Sequence, residues 1–338
     1  MNAVVNDDAP PPWIARQLEH LLTRRGHAWL LQGPSGLGQY RLGLELVRAW
    51  LCEAPTPHGA CGRCASCHAI AVRTHADLAV LMPETEMVAR DWPLPEKAQA
   101  EIDDKKRKAS REIRVDAMRG VVEFAQRTGA RGRGKAVLVY PAERMNAITA
   151  NALLKTLEEP PGDVRFVLAS ESAHQLLPTI RSRCLSHTLA WPDAAEAVPW
   201  LVAHGVPQAD APALLRAAGG RPEDALAWVQ DGRDLRGWSL LPRALARGDG
   251  AGLAQWAPAQ IVDALQKVCH DLLAVASGAA PRYFAPQGLP APPAVGPLTQ
   301  WSRELAKAAR TADHPFNAGL LLEALVSQAR NVLNSRAS

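Results

Sequence analysis

No apolar run in this 338-residue chain approaches the length of a bilayer span, so no membrane-crossing helix is expected. Nor does a basic stretch followed by an apolar one open it. The first residues, MNAVVNDDAPPP, hold no signal-peptide pattern. Charge of either sign is in little excess: 38 Lys and Arg against 34 Asp and Glu leave +4, which permits contact with nucleic acid without arguing for it. A chain without an export signal is expected in the cytoplasm, where thiols stay reduced and clustered cysteines hold metal more often than they form disulfides. What remains is a soluble composition, 47% hydrophobic and 21% charged, long enough for two or three domains.

A second absence is chemical. Residues 33–40 read GPSGLGQY, a phosphate-binding loop with its glycines in place and its charged residue gone. A working G-x-x-x-x-G-K-[ST] loop wraps backbone N–H groups around phosphates, places Lys on the terminal phosphates and holds Mg²⁺ with a hydroxyl. Gly33 and Gly38 have the required spacing and Gly36 adds conformational freedom, but Gln39 stands at the lysine position and Tyr40 at the Ser/Thr position. Gln offers no charge to offset a triphosphate, and a phenol is too bulky for a compact magnesium ligand. A scaffold kept without its chemistry implies a structural or regulatory task.

The surrounding pattern is the one a phosphate loop needs. Trp29–Gln32 is a short apolar strand, and Leu42, Leu46, Val47, Trp50 and Leu51 recur at helical spacing beyond the loop. A helix follows Asp116, AVLVY at 136–140 reads as a buried parallel strand, and a helix over 147–159 stops at Pro160-Pro161-Gly162. RFVLAS at 165–170 supplies a further buried strand. Alternating strands and helices predict a mostly parallel sheet covered on both faces. After Trp191 the strand signals fade, and stripes such as Ile261, Leu265, Val268, Leu272 and Val275 predict helices. A Pro-rich stretch, Pro281 to Pro297, reads as a long surface connection. The expected organisation is an α/β domain over 1–190, a small helical domain over 191–232 and a helical bundle over 233–338.

Cys52, Cys61, Cys64 and Cys67 form C-x₈-C-x₂-C-x₂-C, four thiols within 16 residues. This matches a structural zinc site with no open position for water. Cys64-Ala-Ser-Cys67-His68 also fits a c-type haem attachment pattern, and a C-x-x-C redox pair is a further reading. Either leaves two cysteines unused, whereas zinc uses all four. His58, His68 and His75 are expected to be local hydrogen-bonding residues, and Cys269 a core thiol.

Three more segments point to a family. NALLKTLEEPP at 151–161, FVLAS at 166–170 and TIRSRC at 179–184 follow, in that order, a degenerate phosphate loop with a four-cysteine insertion. The chain thereby resembles the clamp-loader branch of the AAA+ ATPases over about residues 10–230. The resemblance implies an α/β AAA+ domain with an inserted zinc module at 52–67, a helical lid and a C-terminal collar. It also implies that the Asp-Glu pair which holds Mg²⁺ falls on Tyr140 and Pro141, that a small polar residue near Ser170 takes the sensor position, and that Glu223 replaces the lid arginine, with Arg221 close by. Lysine, hydroxyl, acidic pair and lid arginine are then all missing, so no ATPase activity of its own is expected, and no polymerase active site is legible. Arg183 persists. In the family this arginine reaches a neighbouring subunit's ATP, where a planar, permanently charged guanidinium meets the γ-phosphate. Ser182 and Cys184 are expected to fix its turn. Implied partners are ATPase subunits and a delta subunit of DNA polymerase III, with the sliding clamp and primed DNA reached through the assembly. ATP would belong to the neighbour.

Two other function classes stay open on the residues alone. An active ATPase would need Gln39 and Arg221 to replace the lost charges, and a freestanding zinc module reading nucleic acid would explain the cysteines only. The charged segment 83–112, with Lys105-Lys106-Arg107-Lys108 and Trp92, reads first as a mixed-charge surface helix or a disordered loop and second as a phosphate contact.

Overall fold

The computed structural model describes residues 9–312 and 317–335. The chain folds as two compact units, Met1–Glu196 and Ala197–Ser338. No described helix is long and apolar enough to cross a membrane.

The first unit is built on five parallel strands: β1 (Ala28–Gln32), β2 (Leu78–Leu81), β3 (Lys135–Val139), β4 (Val164–Ser170) and β5 (Leu185–Thr188). Their spatial order is β2-β3-β4-β1-β5. The central strands are mostly apolar because both faces are covered; every residue of β3 is buried. Helices α1 (Pro12–Leu22), α2 (Gln39–Leu51), α3 (Ala65–Ala71), α4 (Glu84–Ala89), α5 (Glu96–Asp103), α6 (Val115–Gln126), α7 (Ala147–Glu158) and α8 (Pro178–Arg181) fill the connections. Helix α2 lies tightly on the sheet. A Cβ on its Gly43 would meet Leu138 Cδ1 at 2.8 Å and Val167 Cγ1 at 3.3 Å. Opposite it, Met118 and Val121 of α6 and Leu153 and Leu157 of α7 pack with Val137, Val139, Phe166 and Leu168. Helix α7 begins where Asn146 accepts a hydrogen bond from the Thr149 N–H, a cap worth about 1 kcal/mol.

The expected strands at 29–32, 136–140 and 165–170 are present within one residue. Strand β2 has no counterpart among the expected elements. LAVL is four residues long, at a sheet edge and mostly half-buried, so it carries neither a long apolar run nor clean alternation. The charged stretch, expected as a mixed-charge surface helix or a disordered loop, forms the helices α4 and α5, ahead of a tethered loop.

The second unit is all-helical, as the loss of strand signals implies. It comprises α9 (Ala194–Ala203, whose start belongs to the first unit), α10 (Ala211–Ala217), α11 (Pro222–Gln230), α12 (Leu235–Ala246), α13 (Pro258–Ala276), α14 (Val295–Thr311) and α15 (Ala318–Leu333). A single core runs from Ala197 to Leu333, on both sides of the boundary expected at 232. Trp228 and Trp238 meet edge to face at 4.6 Å between centroids, and Phe284 stacks on Trp238 at 4.3 Å. The buried Lys267 ammonium lies 5.5 Å from the Trp228 ring and 2.7 Å from Asp263. Burial lowers its pKa. The segment after α13 is fastened by the wholly buried Asp271, whose carboxylate accepts from the N–H groups of Arg282, Tyr283 and Phe284, all at 2.8 Å.

Candidate functional site

In an open parallel sheet, ligands sit in the crevice beyond the carboxyl ends of the strands. Here β1 delivers the glycine loop to that crevice and α2 leaves it. Gly36 and Gly38 take φ of 75° and 96°, the left-handed region that only glycine enters cheaply, so the loop has the backbone of a phosphate cradle. Gln39 turns inward. It is 2% exposed, and its amide nitrogen donates to the carbonyls of Gly33 and Pro34, both at 2.6 Å. A neutral amide thus ties the loop to itself where a lysine would face phosphate.

The adjoining space holds side chains. The Tyr40 and Tyr140 rings lie 5.4 Å apart, and the Arg90 guanidinium stands over both, 4.7 Å from the first centroid and 5.1 Å from the second. The Trp92 indole N–H donates to the Tyr40 oxygen at 2.7 Å, while the Tyr140 hydroxyl donates to Glu171 at 2.8 Å. Burial pushes both phenols above the ordinary tyrosine pKa, Tyr140 far above it, so neither becomes the phenolate that a cation would need. Ser170, fully buried at the sensor position, donates to Glu143 at 2.8 Å, and Glu143 also accepts from the Glu171 N–H at 3.1 Å. In the second unit, Arg221 pairs with Asp224 at 2.9 Å and donates to the Ala218 carbonyl at 2.8 Å. Sequence reasoning misses Arg90 and Glu171, and it places Trp92 only in a charged surface segment. The available signal is two bulky phenols at adjacent metal-holding positions, which must pack on something.

Arg183 follows the short helix α8. Its Nε and Nη2 donate to Glu158 Oε2 at 3.2 and 3.0 Å, and its Nη1 to the Thr179 carbonyl at 3.1 Å. The side chain remains 31% exposed. Glu158 of the LEEPP segment therefore aims the guanidinium without enclosing it. Ser182 donates to the Thr179 carbonyl at 3.2 Å, and burial pushes the Cys184 thiol up to about 12. Both facts fit residues that shape a turn.

The four cysteines converge. Their sulfurs all lie within 4.8 Å of one another, with Cys52 3.8 Å from Cys64 and 3.7 Å from Cys67. Zn–S bonds of about 2.3 Å in a tetrahedron require sulfurs about 3.8 Å apart. The knuckle arises locally. Cys64 caps α3, accepting from the Cys67 N–H at 3.4 Å, and the Cys61 N–H donates to the Cys52 sulfur at 3.2 Å. Although burial opposes it, the donors around Cys64 bring its pKa down to about 6, whereas burial pushes Cys67 up to about 12. No histidine or carboxylate joins this group among the described residues. His58 instead pairs with Glu19 at 2.6 Å, and the buried His75 accepts from the Asp77 N–H at 3.1 Å. The set is able to hold a tetrahedral metal ion.

Residues 14–192, a little over half of the chain, match the family model described as DNA polymerase III, delta subunit. The chain belongs to that family. Similar relatives include DNA polymerase III subunit delta′ of Pseudomonas aeruginosa, 40% identical over 202 residues, covering 59% of this chain and 54% of the relative. Subunit delta′ of Escherichia coli K12 is 36% identical over 241 residues, covering 70% and 65%. DNA polymerase III subunit tau of the same organism is 31% identical over 249 residues, covering 69% of this chain and 32% of tau. The chain thus aligns with between half and two thirds of its delta′ relatives' length. The family match covers the phosphate loop, the cysteine cluster and Arg183 together.

Proposed function

We propose that this chain is the delta′ subunit of a bacterial clamp loader in the DNA polymerase III holoenzyme, and that it acts in DNA replication without hydrolysing ATP itself. The observation that carries this reading is the closed crevice. Gln39 is bonded to its own loop, and Tyr40, Tyr140, Arg90 and Trp92 fill the adjoining space. Such a subunit contributes by what it lends. Arg183, exposed and aimed by Glu158, is the group offered to ATP held by a neighbouring ATPase subunit. There an arginine supplied in trans is worth roughly 10³–10⁵ in rate.

On this reading the tau/gamma subunits and a delta subunit are direct partners, and the sliding clamp and primed DNA are met through the assembly. The second unit serves as lid (191–232) and collar (233–338). The cysteine cluster holds structural zinc, ATP stays with the neighbour, and the work is cytoplasmic. The test is reconstitution. Arg183→Ala should assemble normally while DNA- and clamp-stimulated ATP hydrolysis falls by at least tenfold at the site it serves. Clamp loading at the wild-type rate by that variant would remove the finger assignment.

A further inference from the structure

The nucleotide crevice lies at the carboxyl ends of the strands; the amino ends carry a different chemistry. The pairing of Ala28 with Phe166 sets Arg165 level with His27, two residues after Arg25, and the pairing of Arg165 with Ala136 sets it three residues after Arg133. Arg165 stands near the start of β4, and Arg133 and Arg25 lie in the loops that enter β3 and β1, its neighbours on either side, about 4.8 Å away.

The rim is rigid where it matters. Gly134 has φ 75°, and a Cβ there would lie 2.5 Å from the Asp163 carbonyl oxygen, so the loop carrying Arg133 is pressed onto β4. The Lys135 N–H donates to that same carbonyl at 2.8 Å. Asp77, 1% exposed, accepts from the N–H groups of Ala130 and Arg131 at 2.7 and 2.8 Å.

Counter-charge is sparse. Arg131 pairs with Glu53 at 3.3 Å and Arg165 with Asp163 at 3.4 Å, both long and exposed contacts. Among the described residues, Arg24, Arg25 and Arg133 pair with no carboxylate. Beside them lies a cleft of about 370 Å³, lined by Arg133, Arg165 and Asp163 together with Trp50, Leu22 and Pro55. The Arg165 guanidinium stands 5.5 Å from the Trp50 centroid.

We propose that this rim and cleft form a binding site for single-stranded nucleic acid: the arginines take phosphates, and the cleft beside Trp50 takes a base. Charge complementarity favours phosphodiesters. Arginines gathered at one end of the sheet match a polyanion, and Trp50, Leu22 and Pro55 of the cleft offer an unpaired base contacts that a duplex would not use. The inference is independent of the finger assignment, because it is read on the isolated chain without ATP.

The experiment is fluorescence anisotropy of a labelled oligothymidylate of about a dozen nucleotides, titrated with full-length chain across a series of KCl concentrations. Three phosphate contacts should give a slope of log K against log[KCl] near −2, at about 0.7 per phosphate for a single strand. The variant R25A/R133A/R165A should lose at least tenfold in affinity and most of that slope. Because Arg165 packs on Trp50, R25A/R133A provides the check on folding and should remove more than half of the slope change. K105A/K106A/K108A should bind as wild type, and a duplex of equal length should bind more weakly. Unchanged binding by R25A/R133A/R165A would overturn the site, as would an equal loss in the lysine variant. Tighter binding of the duplex, or of a poly-glutamate peptide at the same residues, would overturn it too.

Discussion

On the proposed reading, Gln39 and Tyr40 are two residue choices that retire a nucleotide site and then stabilise its absence. A glutamine in place of lysine removes the charge, and its amide also satisfies two loop carbonyls that would otherwise want donors. A tyrosine in place of a small hydroxyl removes a ligand and gives Arg90 and Trp92 a surface to pack on. Restoring one residue should therefore not restore the site. Gln39→Lys alone is expected to bind Mg-ATP no better than wild type by calorimetry. Tight binding by that single variant would mean that the aromatic packing yields easily. The lost chemistry is legible in GPSGLGQY. The packing is not, because Arg90 and Trp92 lie about fifty residues away in a segment whose composition reads only as charged surface.

That segment shows what an element adds to a residue. Arg107, part of the Lys105–Lys108 run, is held by two carboxylates: it donates to Glu84 through both terminal nitrogens and to Glu101 through Nε at 2.7 Å. Glu84 also accepts from the Ser110 N–H at 2.8 Å, so one carboxylate closes the loop from α4 to residue 110. The Arg107 guanidinium holds Glu84 below its ordinary carboxylate pKa. A depressed folded-state pKa stabilises above the unfolded value, near 4.5, and that stability is lost as pH falls through the lower folded value. Protection of 84–112 against hydrogen exchange, corrected for the intrinsic pH dependence of the amide rate, should accordingly fall as pH drops below about 4.5, and Glu84→Gln should lower that protection already at neutral pH. A segment whose exchange ignores both changes would show the staple to be inconsequential. An ion pair across 23 residues has no signature in sequence, which is why the basic run looks free for phosphate.

The cysteine module is the second such element, and here sequence is nearly sufficient. Spacing alone brings Cys61, Cys64 and Cys67 together, and the end of α2 delivers Cys52. The peptide from 53 to 64 has little regular structure, so a bound metal, worth roughly 10–16 kcal/mol in isolated zinc modules, would supply most of its order. Purified chain should carry one zinc by elemental analysis. Strong chelator should lower the melting temperature of the first unit and leave the helical unit's transition in place. Full retention of the native melting curve after metal removal would make the metal dispensable to the fold.

Across the whole molecule the two units divide the labour that sequence composition foretells. Strands end by Thr188, and a continuous helical core begins at Ala197. The finer boundary at 232 leaves no gap in that core, because Trp228 on one side packs on Trp238 and Trp256 on the other. Apolar periodicity identifies helices but carries no record of which helices share a core. The proposed role needs a first unit that presents Arg183 and a crevice that stays closed throughout a reaction cycle run by others. Phosphate release by the homogeneous chain, measured with saturating Mg-ATP and with primed DNA present, tests this most directly. The account predicts release indistinguishable from a protein-free blank, and stimulation only when the ATPase subunits are added. Steady turnover by the chain alone, lost on substitution of Gly38, would contradict it.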